Sequence, residues 1–556
     1  MVNVKNLFGM AVMATALVSC SSSDDLATDV KGNENKAEAA YASFKINLPT
    51  TTGTRTAGDP ELVPGEAKEY EVKNGTILIF DNSGKFVTSA ELGTMNPWTT
   101  VNSGGVTTAA IATVKLSNVS VGSNNYKALV LLNNDVDLTT KKVTLPTTTD
   151  TYATWSKDVD KVNVDKYKST DGIFMANAPM YTGTSTEPTT LVDVKNICAS
   201  PEEAQAKAAT TVHVERGLAK VTMETFTPGG YAISGGTYDG GKVEIENWKL
   251  DVTNTKTYPV HQIGGLSSEY SGIWSKDRFY DTKPSSTFKR VYWGVDPNYS
   301  NADFQVLANC KTEFNMIGNS EVDGVAGTPQ YCLENTFNLA NMKQGQTTRV
   351  VFKAKFTPKD FSAPETFYKI GNNTAIWTKT KLEQQIKTVA VTAMGITSPT
   401  EQAEYIVKLD AAANNISGEA GQHTITADNI VYTGSGSSKV PAALAAINTK
   451  LGLTEGAGIS TYLDGEAYYI ARIKHFNELT PWTPGKAYGT DNEKYLGRYG
   501  VLRNNWYSLS VSTVSGLGYP EVPEVKPNIP DDENDQYINV EVKILDWAKR
   551  TQDINL

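Results

Sequence analysis

The feature that most limits how this chain can fold is a pair of matching strands at its two ends. Near the C-terminus, Ile538, Val540, Val542 and Ile544 alternate with Asn539, Glu541 and Lys543, the two-residue period of a strand with one buried face. Directly ahead lie Pro520, Pro523, Pro527 and Pro530 in a polar stretch that cannot pack as a core and that favours a stiff, polyproline-like arm. A strand on such an arm is either the last edge of its own sheet, reached by a long loop, or a strand meant for another molecule. Near the other end, Ala42, Phe44, Ile46 and Leu48 alternate with Ser43, Lys45 and Asn47 in the same pattern. A small, polar, turn-rich stretch follows at once, TTGTRTAGDP, with Arg55 in its middle. Such a stretch is accessible to proteases.

The chain has 556 residues, enough for two to four domains, and a net charge of −10 with no basic run. The charge argues against a nucleic-acid partner. Thr, Ser, Asn, Gly and Tyr are abundant and Leu-rich amphipathic stretches are few, which points to β structure with many turns. At the N-terminus, Lys5 precedes an apolar run that ends at Cys20. The run is too short to span a bilayer and fits a signal peptide. Leu17-Val18-Ser19-Cys20 resembles the lipobox of bacterial lipoproteins, whose cysteine is acylated and becomes the new N-terminus, and SSSDDLATD after it has the make-up of a polar tether. A plain signal peptide with a chance cysteine is the alternative.

The chain then divides into a signal peptide (1–20), a pro-segment with the first strand (21–55), a first β domain (56–230), a second (231–518) and the arm with its strand (519–556). In the first domain, 75–80, 109–116 and 127–133 are apolar runs of strand length bounded by Gly, Asn and Ser. Residues 211–225 read as one long strand whose alternation changes phase near Gly217, as a bulge would cause. Six glycines in 226–242 mark the domain boundary or a wide turn beside it. Helices are expected at 200–211, where Ser200 caps and Pro201 opens the first turn, at 379–390, and at 440–452, which ends in Gly452.

No catalytic pattern is present. His213, His261, His423 and His475 are scattered, outside any HExxH or triad context, and His213 alternates with apolar residues as a structural residue does. There is no nucleophile elbow, phosphate loop or dinucleotide fingerprint. Asp158, Asp160, Asn163 and Asp165 lack the spacing of a calcium loop and read as a solvated loop. Cys198, Cys310 and Cys332 are too few for a disulfide scaffold; Cys310 and Cys332 either bridge or stay as buried thiols. Trp482 and Trp506 suit core packing or edge covering better than a sugar platform. The chain is read as a non-enzyme without cofactor or metal.

Several of these pieces together resemble the fimbrillins of Bacteroidales-type bacteria, most closely those of the Mfa-type major fimbrium. The carrying residues are the lipobox at Leu17–Cys20, the Arg55 loop, Val214-Glu215-Arg216-Gly217-Leu218-Ala219-Lys220-Val221, the run from Val501 through Arg503-Asn504-Asn505-Trp506-Tyr507 to Val511, and the closing Val540 to Arg550. The resemblance implies a mainly β fold of two transthyretin-like β-sandwich domains with a few short helices and an extended C-terminal donor strand. It implies export as an outer-membrane lipoprotein acylated at Cys20, and cleavage between Arg55 and Thr56 by an Arg-specific surface protease. Cleavage would release the displaceable strand of Ala42, Phe44, Ile46 and Leu48, and the donor strand of Ile538, Val540, Val542 and Ile544 from a neighbouring copy would fill the gap. The implied partners are further copies of the chain, head to tail, and accessory fimbrial subunits. The implied role is the shaft of an extracellular fimbrium that supports adhesion and biofilm formation. In the family the processing arginine is often followed by Ala-Gly; here Thr56 intervenes before Ala57-Gly58. The rival expectations are a tip or anchor subunit, or a glycan-binding surface lipoprotein that does not polymerise.

Overall fold

The computed structural model describes residues 39–48, 69, 71–93, 99–100, 107–135, 141–161, 164–169, 172–182, 187–274, 279, 288–300, 303–371, 373–409, 424–454, 457–475, 492–531 and 538–546. The first sheet is built from β1 (Ala40–Asn47), β2 (Gly75–Asp81), β3 (Phe86–Glu91), β4 (Thr99–Thr100), β5 (Thr107–Leu116), β6 (Tyr126–Leu132), β7 (Met175–Asn177) and β8 (Thr210–Arg216), with helix α1 (Pro201–Ala206) ahead of β8. Their order across the sheet is β3-β2-β6-β7-β8-β1-β5-β4. One face buries Phe44, Ile46, Ile77, Ile79, Val114, Val130, Val212 and Val214 in a single cluster. The other face of β2 and β6 buries Leu78, Phe80, Leu129 and Leu131 with Trp155 and Phe174. Burial on both faces is why these two strands are continuous apolar runs rather than alternating ones.

The rest of the chain adds β9 (Ala219–Met223), β10 (Tyr231–Ala232), β11 (Lys242–Asp251), β12 (Gln330–Cys332), β13 (Arg349–Thr357), β14 (Phe367–Ile370), α2 (Lys379–Ala393), α3 (Pro399–Ala403), β15 (Tyr405–Val407), β16 (Ile430–Tyr432), α4 (Val440–Leu451), β17 (Ile459–Tyr462), β18 (Glu466–Arg472), β19 (Asn505–Val514) and β20 (Ile538–Asp546). Two four-stranded sheets result, β12-β9-β19-β20 and β10-β11-β13-β18. They share one core, in which Val221, Met223, Tyr507 and Leu509 meet Val243, Trp248, Phe352 and Phe356. Strands β14 and β17 pair at the base of an insertion, where the rings of Phe367 and Tyr462 stack with centroids 4.7 Å apart. Inside it Leu382, Ile386 and Ala390 of α2 pack with Val440 and Ile447 of α4. Thr378 caps α2 by accepting from the Lys381 amide, and Gly452 ends α4 at φ 71°.

The expected long strand at 211–225 is two strands in two sheets. β8 ends at Arg216, β9 begins at Ala219, and Gly217-Leu218 is the whole connection. Val212 and Val214 enter the first core, whereas Ala219, Val221 and Met223 enter the second. A change of sheet flips the phase of an alternation just as a bulge does, so the pattern alone could not tell them apart. The glycine-rich stretch at 226–242 is a turn inside the second body, where β10 folds back on β11 through Ile233 N–H to the Gly241 carbonyl.

Candidate assembly site

Strand β1 lies inside the first sheet, not at its edge. It pairs in parallel with β8, from Phe44 opposite Thr210 to Asn47 opposite His213. It pairs antiparallel with β5 over its full length, from Ala40 opposite Leu116 to Asn47 opposite Ala109. Ala40, Ala42, Phe44 and Ile46 are completely buried, and Leu48 nearly so. Without β1, both β8 and β5 would present unpaired backbone groups beside an apolar trough, a template for strand addition.

The outward face of β1 is uneven. Lys45 is exposed, but Ser43 is only 4% exposed because α1 lies over it. The helix forms where the sequence expects it: Ser200 accepts from the Glu203 amide, Pro201 opens the first turn, and Glu202 and Glu203 complete it. Ser43 Oγ donates to the Ala204 carbonyl at 2.8 Å and lies 2.8 Å from Thr113 Oγ1. Tyr41 and Cys198 exchange backbone hydrogen bonds beside it.

The motif residues at 214–221 and 501–511 meet at the join between the two bodies. Arg216 N–H donates to Asn504 Oδ1 at 3.0 Å, and Arg216 Nε donates to the Glu69 carbonyl at 2.8 Å. Asn504 holds a left-handed conformation, φ 61°, and its amide donates to the Leu218 carbonyl. The Tyr331 hydroxyl and Lys220 Nζ both reach the Glu69 carboxylate, with Lys220 also 3.9 Å above the Trp506 ring. Arg503 forks onto Glu334. Glu215 sits between Arg290 and His261, whose Nδ1 is 2.8 Å away. Burial pushes the Glu215 carboxyl up, but Arg290 and His261 outweigh it and hold it at about 2. Sequence reasoning missed this network. The one available signal was charge placed inside apolar alternation, at Glu215, Arg216, Lys220 and Arg503.

The proline arm is not a free spacer. From 519 to 531 it is laid along the second body. Gly518 turns the chain at φ 79°, where a Cβ would meet the Tyr468 carbonyl at 2.8 Å. Tyr519 exchanges backbone bonds with Tyr468, Arg349 Nη2 donates to the Pro523 carbonyl at 2.6 Å, and Gln344 N–H donates to the Ile529 carbonyl. Val525 is buried with Phe304, Cys310 and Phe314, and buried Asp531 accepts from Thr347 Oγ1. The arm is held down because prolines lack N–H donors but their carbonyls still accept, and Val525 supplies an apolar anchor.

Beyond the arm, β20 pairs antiparallel with β19 of the same chain, with Tyr507 opposite Ile544, Leu509 opposite Val542 and Val511 opposite Val540. In this structure the tail therefore closes an edge of its own sheet. Cys20, Arg55, Thr56, His423 and Trp482 lie outside the described residues, as does Asn163 of the acidic stretch. Cys198, Cys310 and Cys332 are free and buried; Cys310 and Cys332 belong to different clusters, which keeps them unbridged. Trp506 is half-buried on the inner strand β19 and packs against the cluster that holds Leu218 and Leu333, its indole donating to Thr222 Oγ1 at 2.7 Å. His475 Nδ1 lies 3.1 Å from the Tyr507 hydroxyl, a structural contact. No group of three or more His, Cys, Asp or Glu that could hold a metal ion occurs among the described residues.

Residues 460–553, which span β18, β19, the arm and β20, match the family described as major fimbrial subunit protein type IV, fimbrillin, C-terminal. Solved structures similar to it include a candidate cell adhesion protein from Parabacteroides distasonis, 13% identical, covering 93% of this chain and 99% of that one, with a TM-score of 0.37. A tip fimbrial protein from Porphyromonas gingivalis with C-terminal truncation is 11% identical over 91% of this chain and 100% of that one, TM-score 0.28. The fimbrial anchor protein of the same organism is 10% identical over 57% of this chain and 78% of that one, TM-score 0.21. No curated protein matches the sequence.

Proposed function

We propose that this chain is a shaft subunit of a bacterial surface fimbrium, exported as a lipoprotein through Cys20, cut after Arg55 and polymerised by strand exchange between copies. The observation that carries the reading is the position of β1. It is an inner strand, buried and paired on both sides, yet it is joined to the body only through the stretch that contains Arg55. A cut there leaves β1 held by pairing and burial alone. The tail offers a strand of matching alternation, Ile538, Val540, Val542 and Ile544. Burying four such side chains gives on the order of 6–12 kcal/mol, against roughly 1–2 kcal/mol per residue ordered, so replacement of one strand by another of similar kind is closely balanced. To serve a neighbour, β20 must leave β19. With the arm docked as far as Asp531, seven steps along the chain separate that residue from Ile538, a span of at most about 25 Å. The neighbour's groove must open within that distance. A contact of this kind is head-to-tail and repeats into an open filament. We divide the two bodies at Gly217-Leu218, where the chain changes sheet.

The test is limited digestion of the purified precursor with a trypsin-like protease, followed by gel analysis and electron microscopy. An SDS-resistant ladder and fibres are expected, with Arg55→Ala remaining monomeric. A chain that is cut after Arg55 and stays a monomer would sink the proposal.

A further inference from the structure

We infer that the tail of a second copy enters the place of β1 in a single register, with Asn539 in the position of Ser43. The inference rests on the assembly reading above and specifies how its site recognises its partner. Only one outward position of β1 is roofed. Ser43 is 4% exposed beneath α1 and both donates to the Ala204 carbonyl and stands within hydrogen-bond distance of the Thr113 hydroxyl. Whatever replaces it must be short, uncharged and able to donate to one neighbour while accepting from the other. An amide does both; a carboxylate only accepts and an ammonium only donates.

The strand Ile538–Asp546 has four residues of the outward phase, Asn539, Glu541, Lys543 and Leu545. Glu541 in the roofed position would set a carboxylate against the Ala204 carbonyl, and the same offset would put Asp546 in the buried place of Leu48. Lys543 there would bring Asp546 to the fully buried place of Ile46, and Leu545 would bring it to that of Phe44. A buried carboxylate without a cationic partner is strongly unfavourable. Asn539 alone avoids both faults. It seats Ile538, Val540, Val542 and Ile544 in the places of Ala42, Phe44, Ile46 and Leu48, and leaves Glu541 in the exposed place of Lys45. Slippage by two residues is thus opposed by one small polar slot and one terminal acid, not by the aliphatic pattern, which repeats.

The register is read by cross-linking the full chain after cleavage at Arg55. Lys45 lies opposite Ile111 of β5, and Ile111 is 67% exposed. In the inferred register Glu541 of one copy faces Ile111 of the next. Ile111→Cys is combined in turn with Asn539→Cys, Glu541→Cys and Lys543→Cys, and each is oxidised and run without reductant. The Glu541→Cys variant is expected to give an intermolecular ladder at least about tenfold stronger than the others, the scale set by disulfide geometry. A dominant ladder from Lys543→Cys or Asn539→Cys, or fibres with no cross-link in any variant, overturns the register while strand exchange stands. Failure of the cleaved parent chain to polymerise at all counts against the assembly reading instead. In a second measurement, Asn539→Asp is expected to lower polymer yield on the order of tenfold, the scale of a buried acceptor left without a donor, and Asn539→Ser to keep it. Equal yields from both overturn the slot.

Discussion

Lys220 Nζ lies 2.7 Å from Glu69 Oε1, and both side chains are removed from solvent. Glu69 lies between Arg55 and β2 in the chain, so this pair ties the segment ahead of β2 to the join between the two bodies. Removing one partner strands the other charge. Glu69→Gln is expected to destabilise the fold by roughly 3–5 kcal/mol, read as a fall in urea midpoint. Glu69→Leu with Lys220→Met should recover much of that loss, because the pair is then replaced by apolar packing.

Glu215 predicts an acid limb of stability. Its carboxyl is held at about 2 in the folded protein against an ordinary 4.5, since Arg290 and His261 outweigh burial. A folded value below the unfolded one gives stabilisation that is complete above about 4.5 and is lost as pH falls through about 2. Urea midpoints measured across that window should drop less steeply in Glu215→Gln, which starts from a lower plateau. Parallel curves for the two proteins would show that this carboxylate does not drive the limb.

Phe44 separates the precursor from the product. Its ring is fully buried in the first core. Phe44→Ala should cost the uncut chain roughly 3–5 kcal/mol, seen as a lower melting temperature. Once β1 has been cut free and replaced, the same substitution should leave the polymer unchanged. Equal losses before and after cleavage would mean that β1 stays in place.

Val525 holds the arm down. Val525→Asp would place a carboxylate among Phe304, Cys310 and Phe314. Residues 519–531 should then exchange amide hydrogens faster, and Cys310, inert when covered, should react with a thiol reagent. An unchanged Cys310 labelling rate would show that the arm is held by its backbone contacts, among them Arg349 with Pro523.

What could be read from the sequence was what repeats locally. β1 and β20 declare themselves by alternation, and α2 and α4 by apolar spacing, with Gly452 closing α4. What could not be read depends on residues far apart. Glu69 meets Lys220, and Arg503 meets Glu334, across the join of two bodies, and each charge taken alone looks like one more solvated position. The docking of the arm was hidden for a related reason: most of its bonds are made to backbone carbonyls, which every residue carries. The roof over Ser43 needed α1 to be placed in space, because Ser43, Lys45 and Asn47 are equivalent in the pattern.

The two-residue link at Gly217-Leu218 has a mechanical consequence. A tail seated in the place of β1 would lie alongside β8, while β9 lies alongside β19, which runs on into the docked arm that carries the tail. Tension applied to a fibre would enter at β8, pass almost directly into β9, and leave through β19. Pulled along their length, the flanking ladders resist together, many hydrogen bonds sharing the load, instead of peeling one at a time. The insertion that carries α2 and α4 branches off β14 and β17, to the side of that line. It could change in size or sequence without weakening the fibre against flow.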